Sequence, residues 1–289
     1  MKALRKLVDF YIYSSIHIAL GATLSVLLCY AVLTHIPDSD YPLFVFSSTM
    51  FLYGIHRIVG IKKVEKFDKE GRFAVIKKFR VHLILYALFG GIASIYFFSS
   101  LPTQIQLLLI IPGGIAMLYV LPLFTGQKRL RDFDFIKIYL IVVNWALIIG
   151  LIPYVEVVGF LDGNGVLYTV EKACFIFAIT VPFDIRDIKV DEHNGVSTIP
   201  RKIGVRKSYH LSYILIMLAI LMVACLSYQG LYSGLVGLGL IAGYLITIAC
   251  TKWTKGKSDD YFFSGLLDGT IALVALIGIV LSGILQVLL

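Results

Sequence analysis

Charge is scarce in this sequence. Asp, Glu, Lys and Arg make up 15% of its 289 residues, where a soluble domain carries roughly a quarter. Hydrophobic residues reach 58% and the mean hydropathy is +0.87. These values exclude an ordinary soluble enzyme and predict a polytopic membrane protein. Cysteine is scarce too. Cys29, Cys174, Cys225 and Cys250 all lie in apolar runs, and no two have metal-type or redox spacing. A disulfide framework and a thiolate metal site are therefore set aside, and the four read as small buried hydrophobes. No low-complexity segment and no internal repeat is visible, which disfavours a transporter built from two related halves. Carboxylates are the rarest charge, 18 in all, with none between Asp40 and Glu65.

What is present is a series of long apolar runs. A transmembrane helix needs roughly 20 mostly apolar residues. Nine candidates follow, at about 10–34, 41–61, 81–101, 104–124, 135–155, 166–187, 209–228, 231–252 and 263–288. The first is too long for a signal-peptide core and has no small-residue cleavage site after it, so it reads as a retained helix. With nine helices, 25 of the 26 Lys and Arg residues fall on one side, and only Lys172 lies near the other. By the positive-inside rule that side is cytoplasmic. The sequence thus predicts an integral protein of a cell membrane, the inner membrane in a bacterium, with a cytoplasmic N-terminus and an external C-terminus. Orientation accounts for the net charge of +8, and nucleic acid is not an expected partner.

The acidic residues that remain are concentrated. The stretch "DIRDIKVDEHNG" places Asp184, Asp187 and Asp191 at i, i+3 and i+7. On one helix these positions lie within roughly 60° of one another. Carboxylates so placed repel unless a cation or donor lies between them. An all-oxygen set suits a hard cation such as Mg²⁺, which binds through one or two carboxylates plus substrate phosphates. The plainer alternative is a solvated helix end paired with Arg186 or Lys189. Pro182 is expected to kink or open the helix, and Gly195 to end it.

The longer stretch "FDIRDIKVDEHNGVSTIPRKIG" resembles the second Asp-rich motif of the UbiA-type intramembrane prenyltransferases, with Asp184, Asp187, Asp191, Gly195, Thr198 and Gly204 matching. "PLFTGQKRLRD" is similar to the basic segment after the family's fourth helix, with Lys128 and Arg129 matching. The resemblance implies an all-α fold of nine transmembrane helices, forming a single transmembrane domain over 1–289. It also implies a reaction: a polyprenyl diphosphate binds at the cytoplasmic face through Mg²⁺, and the allylic cation alkylates a lipophilic acceptor. The implied class is a transferase of prenyl groups (alkyl or aryl other than methyl). Asp184, Asp187 and Asp191 are the implied metal ligands and catalytic residues.

The family's first Asp-rich motif is missing. At the end of the second helix this chain reads "YGIHRIVGI", with Tyr53, Gly54, Arg57 and Ile61 at the motif positions. Acidic residues return at Glu65, Asp68 and Glu70, among lysines. The tyrosine near the basic segment is also displaced, to Tyr119. The reading is a one-metal site in which Arg57, Lys128 and Arg129 supply the remaining charge to the diphosphate. An interfacial arginine is an equal alternative for Arg57. His56 and Asp268 are candidate acceptor or supporting residues, His17 a weaker one, and Asn144 is expected to bond between helices. The rival function is a catalytically silent relative that binds an isoprenoid lipid or a partner.

Overall fold

The computed structural model describes residues 8–12, 14–35, 39–64, 80–125 and 128–288. Lys2, Arg5, Lys6 and the loop carrying Glu65, Asp68 and Glu70 lie outside the described residues. Thirteen α-helices are used below. They are α1 Ile16–Val32, α2 Tyr41–Val64, α3 Arg80–Ser100, α4 Thr103–Leu108, α5 Ile110–Val120, α6 Ile136–Ala146, α7 Ile152–Val158, α8 Gly163–Arg186, α9 Ile188–His193, α10 Ile199–Ile203, α11 Val205–Tyr228, α12 Gly234–Trp253 and α13 Asp268–Leu288. Among the described residues there is no strand beyond one isolated bridge, Phe124 to Lys128.

Joined end to end where they are only interrupted, these helices, apart from the short α10, form about nine rods among the described residues, near the places the hydropathy indicated. Seven segments are long and apolar enough to cross a membrane: Val81–Ser100, Thr103–Val120, Ile136–Val158, Gly163–Arg186, Val205–Tyr228, Gly234–Trp253 and Tyr261–Gly283. The rod at α1 is apolar but shorter, and α2 runs for 24 residues. The first rod was expected to start near residue 10. It breaks before α1, where the Ser14 hydroxyl donates to the Tyr11 carbonyl and accepts from the Ile16 amide, a local bonding pattern that competes with the helix.

Other interruptions have equally local causes. Pro112 lacks the amide that would bond the Leu108 carbonyl, and the fourth rod breaks at Leu109. Pro153 does the same in the fifth rod, which widens into a π-turn over Leu147–Leu151. There the Tyr41 hydroxyl donates to the Ile148 carbonyl at 2.7 Å, supplying a partner that lipid cannot. Pro182 does not end α8, which continues to Arg186. The carbonyl it leaves without a helical partner, that of Ala178, accepts instead from the Ser212 hydroxyl of α11 at 2.6 Å. Ser212→Ala is expected to cost about 1 kcal/mol, read as earlier melting in detergent; an unchanged melting curve would show that this bond does not support the helix at Pro182.

The packing order closes a ring. α1 packs on α2, α2 on α5, α5 on α6, α6 on α8, α8 on α11, α11 on α12, α12 on α13, and α13 on α1. α3 lies against α2, and the two backbones approach closely because the contact is made by glycine. A Cβ at Gly90 would lie 2.8 Å from the Ser47 carbonyl oxygen, and one at Gly54 the same distance from the Ala87 Cβ. Gly239 and Gly243 of α12 face Leu281, Ile277 and Val274 of α13 in the same way, as small residues at membrane-helix interfaces allow. Outward-facing positions are apolar and exposed, among them Phe89, Ile92, Leu107, Leu221 and Leu238, as a lipid solvent requires.

One buried polar cluster centres on Glu171. Lys172, the exception to the basic segregation, is buried in α8 with its ammonium 2.7 Å from Glu171 and 4.7 Å from the Tyr168 ring centroid. Tyr244 and Tyr232 also donate to Glu171.

Candidate active site

One end of the ring holds a cavity of about 360 Å³. Its walls come from the approach to α1, the C-terminal parts of α2, α5 and α8, one face of α6 along its length and the start of the last rod. Deep in it the lining is apolar and aromatic, with Leu52, Tyr53, Ile115, Leu140, Ile141 and Trp145. Towards the basic end it carries Arg57, Arg129, Arg131, Lys137 and Arg186 together with Asp184, Asp187 and Asp191. The two halves of the sequence that the motifs marked, "YGIHRIVGI" and "DIRDIKVDEHNG", therefore face one space.

The acidic stretch is not one straight helix. α8 ends at Arg186, Asp187 caps it with φ −89° and ψ 5°, and α9 starts at Ile188. Gly195 ends α9 as expected, with φ +70° and the Val196 amide reaching back to the Asp191 carbonyl at 2.9 Å, a bonding pattern that glycine tolerates and side-chain residues resist. Thr198 stands just before α10, without a side-chain capping bond, and Gly204 follows the helix at φ +85°.

The break separates the three aspartates. Asp184 and Asp191 close on Lys137, whose ammonium lies 2.8 Å from Asp184 Oδ1 and 3.4 Å from Asp191 Oδ2. Asp187 turns instead to Arg186, Nε to Oδ1 at 2.9 Å and Nη2 to Oδ2 at 3.2 Å. Arg186 continues to Asp260 at 2.7 Å, tying the end of α8 to the last rod, and its guanidinium lies between the rings of Phe183 and Phe263. Burial raises the Asp191 carboxyl above the ordinary carboxylate range, and the Lys137 charge offsets this only in part.

This arrangement does not fit the expected set of three metal ligands. Among the described residues no three His, Cys, Asp or Glu side chains gather closely enough to hold a metal ion, and the position between Asp184 and Asp191 is taken by the Lys137 ammonium. The structural reason is the turn at Asp187, which aims its carboxylate at Arg186. No chemical step is therefore routed through a metal here.

The basic residues are also redistributed. Arg57 lines the cavity and donates both terminal nitrogens to the Ile12 carbonyl at 3.2 Å. Arg129 is buried and held by Asp132, Nη2 to Oδ1 at 2.8 Å and Nε to Oδ2 at 3.1 Å. Lys128 is exposed, is not part of the cavity wall, and its ammonium lies 5.9 Å from the Phe133 ring centroid. The bridge between Phe124 and Lys128 turns this side chain away. Arg131 occupies the wall instead, bonded to His56 and 4.8 Å from the Tyr119 ring centroid. Tyr119, displaced in sequence, is thus part of the cavity.

Lys137 and Arg131 are the residues that motif matching missed. Lys137 carries a signal in hindsight, a single cation two residues into an apolar helix. Arg131 carries none. Asp268 and His56 both line the cavity, as does His17, which stands over Gly269. Asn144 was expected to bond a neighbouring helix, but it also faces the cavity, and its Oδ1 is buried with no hydrogen-bond partner among the described residues.

No protein-family model matches the chain, and no curated protein matches it in sequence. Solved structures do share its shape. A UbiA homologue from Archaeoglobus fulgidus bound to GPP and Mg²⁺ matches with a TM-score of 0.64 at 13% identity, over 94% of this chain and 99% of that one. The same homologue bound to DMAPP and Mg²⁺ gives 0.61 at 10% identity over 97% of each chain. A structure concerned with digeranylgeranylglyceryl phosphate synthase gives 0.54 at 16% identity over the whole of both. The closed ring of membrane helices, with one polar-ended cavity, has the UbiA-type intramembrane prenyltransferase fold.

Proposed function

We propose that this chain binds an isoprenoid diphosphate and transfers its prenyl group to a lipophilic acceptor. The observation that carries the reading is the two-part cavity. Its arginines and Lys137 suit a diphosphate, and its apolar depth suits the isoprenoid tail. Arginine forks bind phosphate oxygens with two parallel bonds, and Arg57 and Arg131 both reach the wall on well-fixed side chains. The neighbours bound to GPP and DMAPP support the same ligand class.

In the transfer, the allylic C–O bond breaks and its electron pair leaves with the diphosphate. The cations around the leaving group stabilise the charge that develops there. Tyr53, Tyr119 and Trp145 offer ring faces to the allylic cation, and the cavity keeps water from it. A nucleophilic carbon or oxygen of the acceptor then bonds to the cation and gives up its proton to the departing diphosphate. Asp268 and Asn144 are placed in this reading as groups that orient the acceptor.

The segregated Lys and Arg residues support a cytoplasmic N-terminus and a site on the cytoplasmic face of the membrane. Residues 1–289 are taken as one transmembrane unit in this reading. A second reading, binding without chemistry, is favoured by one observation: each of the three aspartates is already paired with Lys137 or Arg186. Detergent-purified protein given geranyl or geranylgeranyl diphosphate and a panel of lipophilic acceptors separates the two. Prenylated product and released diphosphate, both reduced at least about tenfold by Arg131→Gln, are the expected result. Saturable binding with no product from any acceptor would support the silent relative.

A further inference from the structure

We infer that Lys137 is the resident cation of the aspartate cluster, so that this chain holds its anionic ligand with side-chain charge and takes no divalent metal between Asp184 and Asp191. The inference rests on the isoprenoid-diphosphate reading for the identity of the ligand, but not for the metal.

The geometry is the first support. The Lys137 side chain is buried, as are Asp184 and Asp191, and its ammonium touches both carboxylates. It rises from the first turn of α6, while the aspartates come from the end of α8 and from α9. Three elements are therefore joined at the point where a bridging ion would lie. A metal entering there would have to displace the ammonium, and would meet its charge if it did not. The third carboxylate is not available to help, because Asp187 is engaged with Arg186.

The second support is on the opposite wall. The C-terminal part of α2 presents His56 and Arg57 to the cavity, with no carboxylate from Tyr41 to Val64. Arg57 is held by the Ile12 carbonyl, and Arg131 by His56 and Tyr119. A site that binds a diphosphate through metal ions needs carboxylates on its walls to hold them. One that binds it through guanidinium forks needs arginines whose direction is fixed. This cavity has the second kind of wall on one side, and on the other a carboxylate pair that already has its counter-ion. Losing the metal ligands of α2 and keeping a lysine inside the remaining set are then two parts of one arrangement.

The test uses the full-length protein in detergent, freed of metal with EDTA, and Mn²⁺ as the probe. Titration followed by electron paramagnetic resonance is expected to show no stoichiometric Mn²⁺ in the unaltered protein. Lys137→Met is expected to create a site, and adding Asp184→Asn to that variant is expected to remove it. Lys137→Arg, which keeps the charge and tests that the fold tolerates change there, is expected to stay metal-free. Geranylgeranyl diphosphate is expected to bind in EDTA within about twofold of its affinity in Mg²⁺. A stoichiometric Mn²⁺ site in the unaltered protein that Asp184→Asn abolishes would overturn the inference, and so would a loss of diphosphate affinity of about tenfold or more in EDTA. If no diphosphate binds under either condition, the functional reading fails, while the Mn²⁺ titration still decides the role of Lys137.

Discussion

An Arg186→Met protein is expected to lose about 3–5 kcal/mol of stability and most of its affinity for a prenyl diphosphate. Arg186 is a strut of the site. It binds Asp187, the cap of its own helix, and Asp260 on the last rod, and two phenyl rings enclose it. Methionine keeps much of the volume but strands two carboxylates in a poorly solvated place. Removing one partner of a buried ion pair is far more costly than replacing both. A triple variant, Arg186→Met with Asp187→Asn and Asp260→Asn, is therefore expected to regain at least half of the lost stability. It is not expected to regain ligand affinity, because the cavity has lost a cation. Melting curves in detergent and a binding isotherm for geranylgeranyl diphosphate check both parts. If Arg186→Met melts with the unaltered protein, the strut is dispensable.

Glu171→Leu is expected to be nearly as damaging, again by about 3–5 kcal/mol, but without a specific effect on ligand binding. Glu171 is fully buried in α8, where it accepts from Tyr244 and Tyr232 and neutralises Lys172. Leucine leaves the Lys172 ammonium with the face of Tyr168 in place of a counter-charge. A buried charge in lipid surroundings is expensive, whereas the double variant Glu171→Gln/Lys172→Met removes both charges and is expected to recover most of the stability. None of these residues lines the cavity. Diphosphate affinity measured on the fraction that remains folded should therefore stay within about twofold. A larger loss in the double variant would mean that this cluster is coupled to the site. Together the two experiments separate charge that builds the site from charge that only holds the ring closed.

The sequence by itself determined the architecture. Apolar runs of membrane-crossing length are a one-dimensional signal, because every residue facing lipid must be apolar whatever its neighbours are. The all-helical membrane fold, with seven membrane-length apolar segments among the described residues, was legible for that reason, and so was the end of α9 at Gly195. The loss of the first Asp-rich motif, with Arg57 at one of its positions, was equally plain, since it depends only on residue identity. The stretch around Asp184 correctly marked where the polar end of the cavity lies.

Only the tertiary structure decided which charges meet. Helical spacing placed Asp184, Asp187 and Asp191 on one face, but the turn at Asp187 and the pull of Arg186 send one of the three elsewhere. Lys137, 47 residues before Asp184 in the chain, fills the gap between the other two. Arg131 replaces Lys128 at the wall because a local bridge turns Lys128 outward. Electrostatic pairing acts over a few ångströms of space and is indifferent to sequence separation. A motif can therefore announce a site and still leave open which cation it holds.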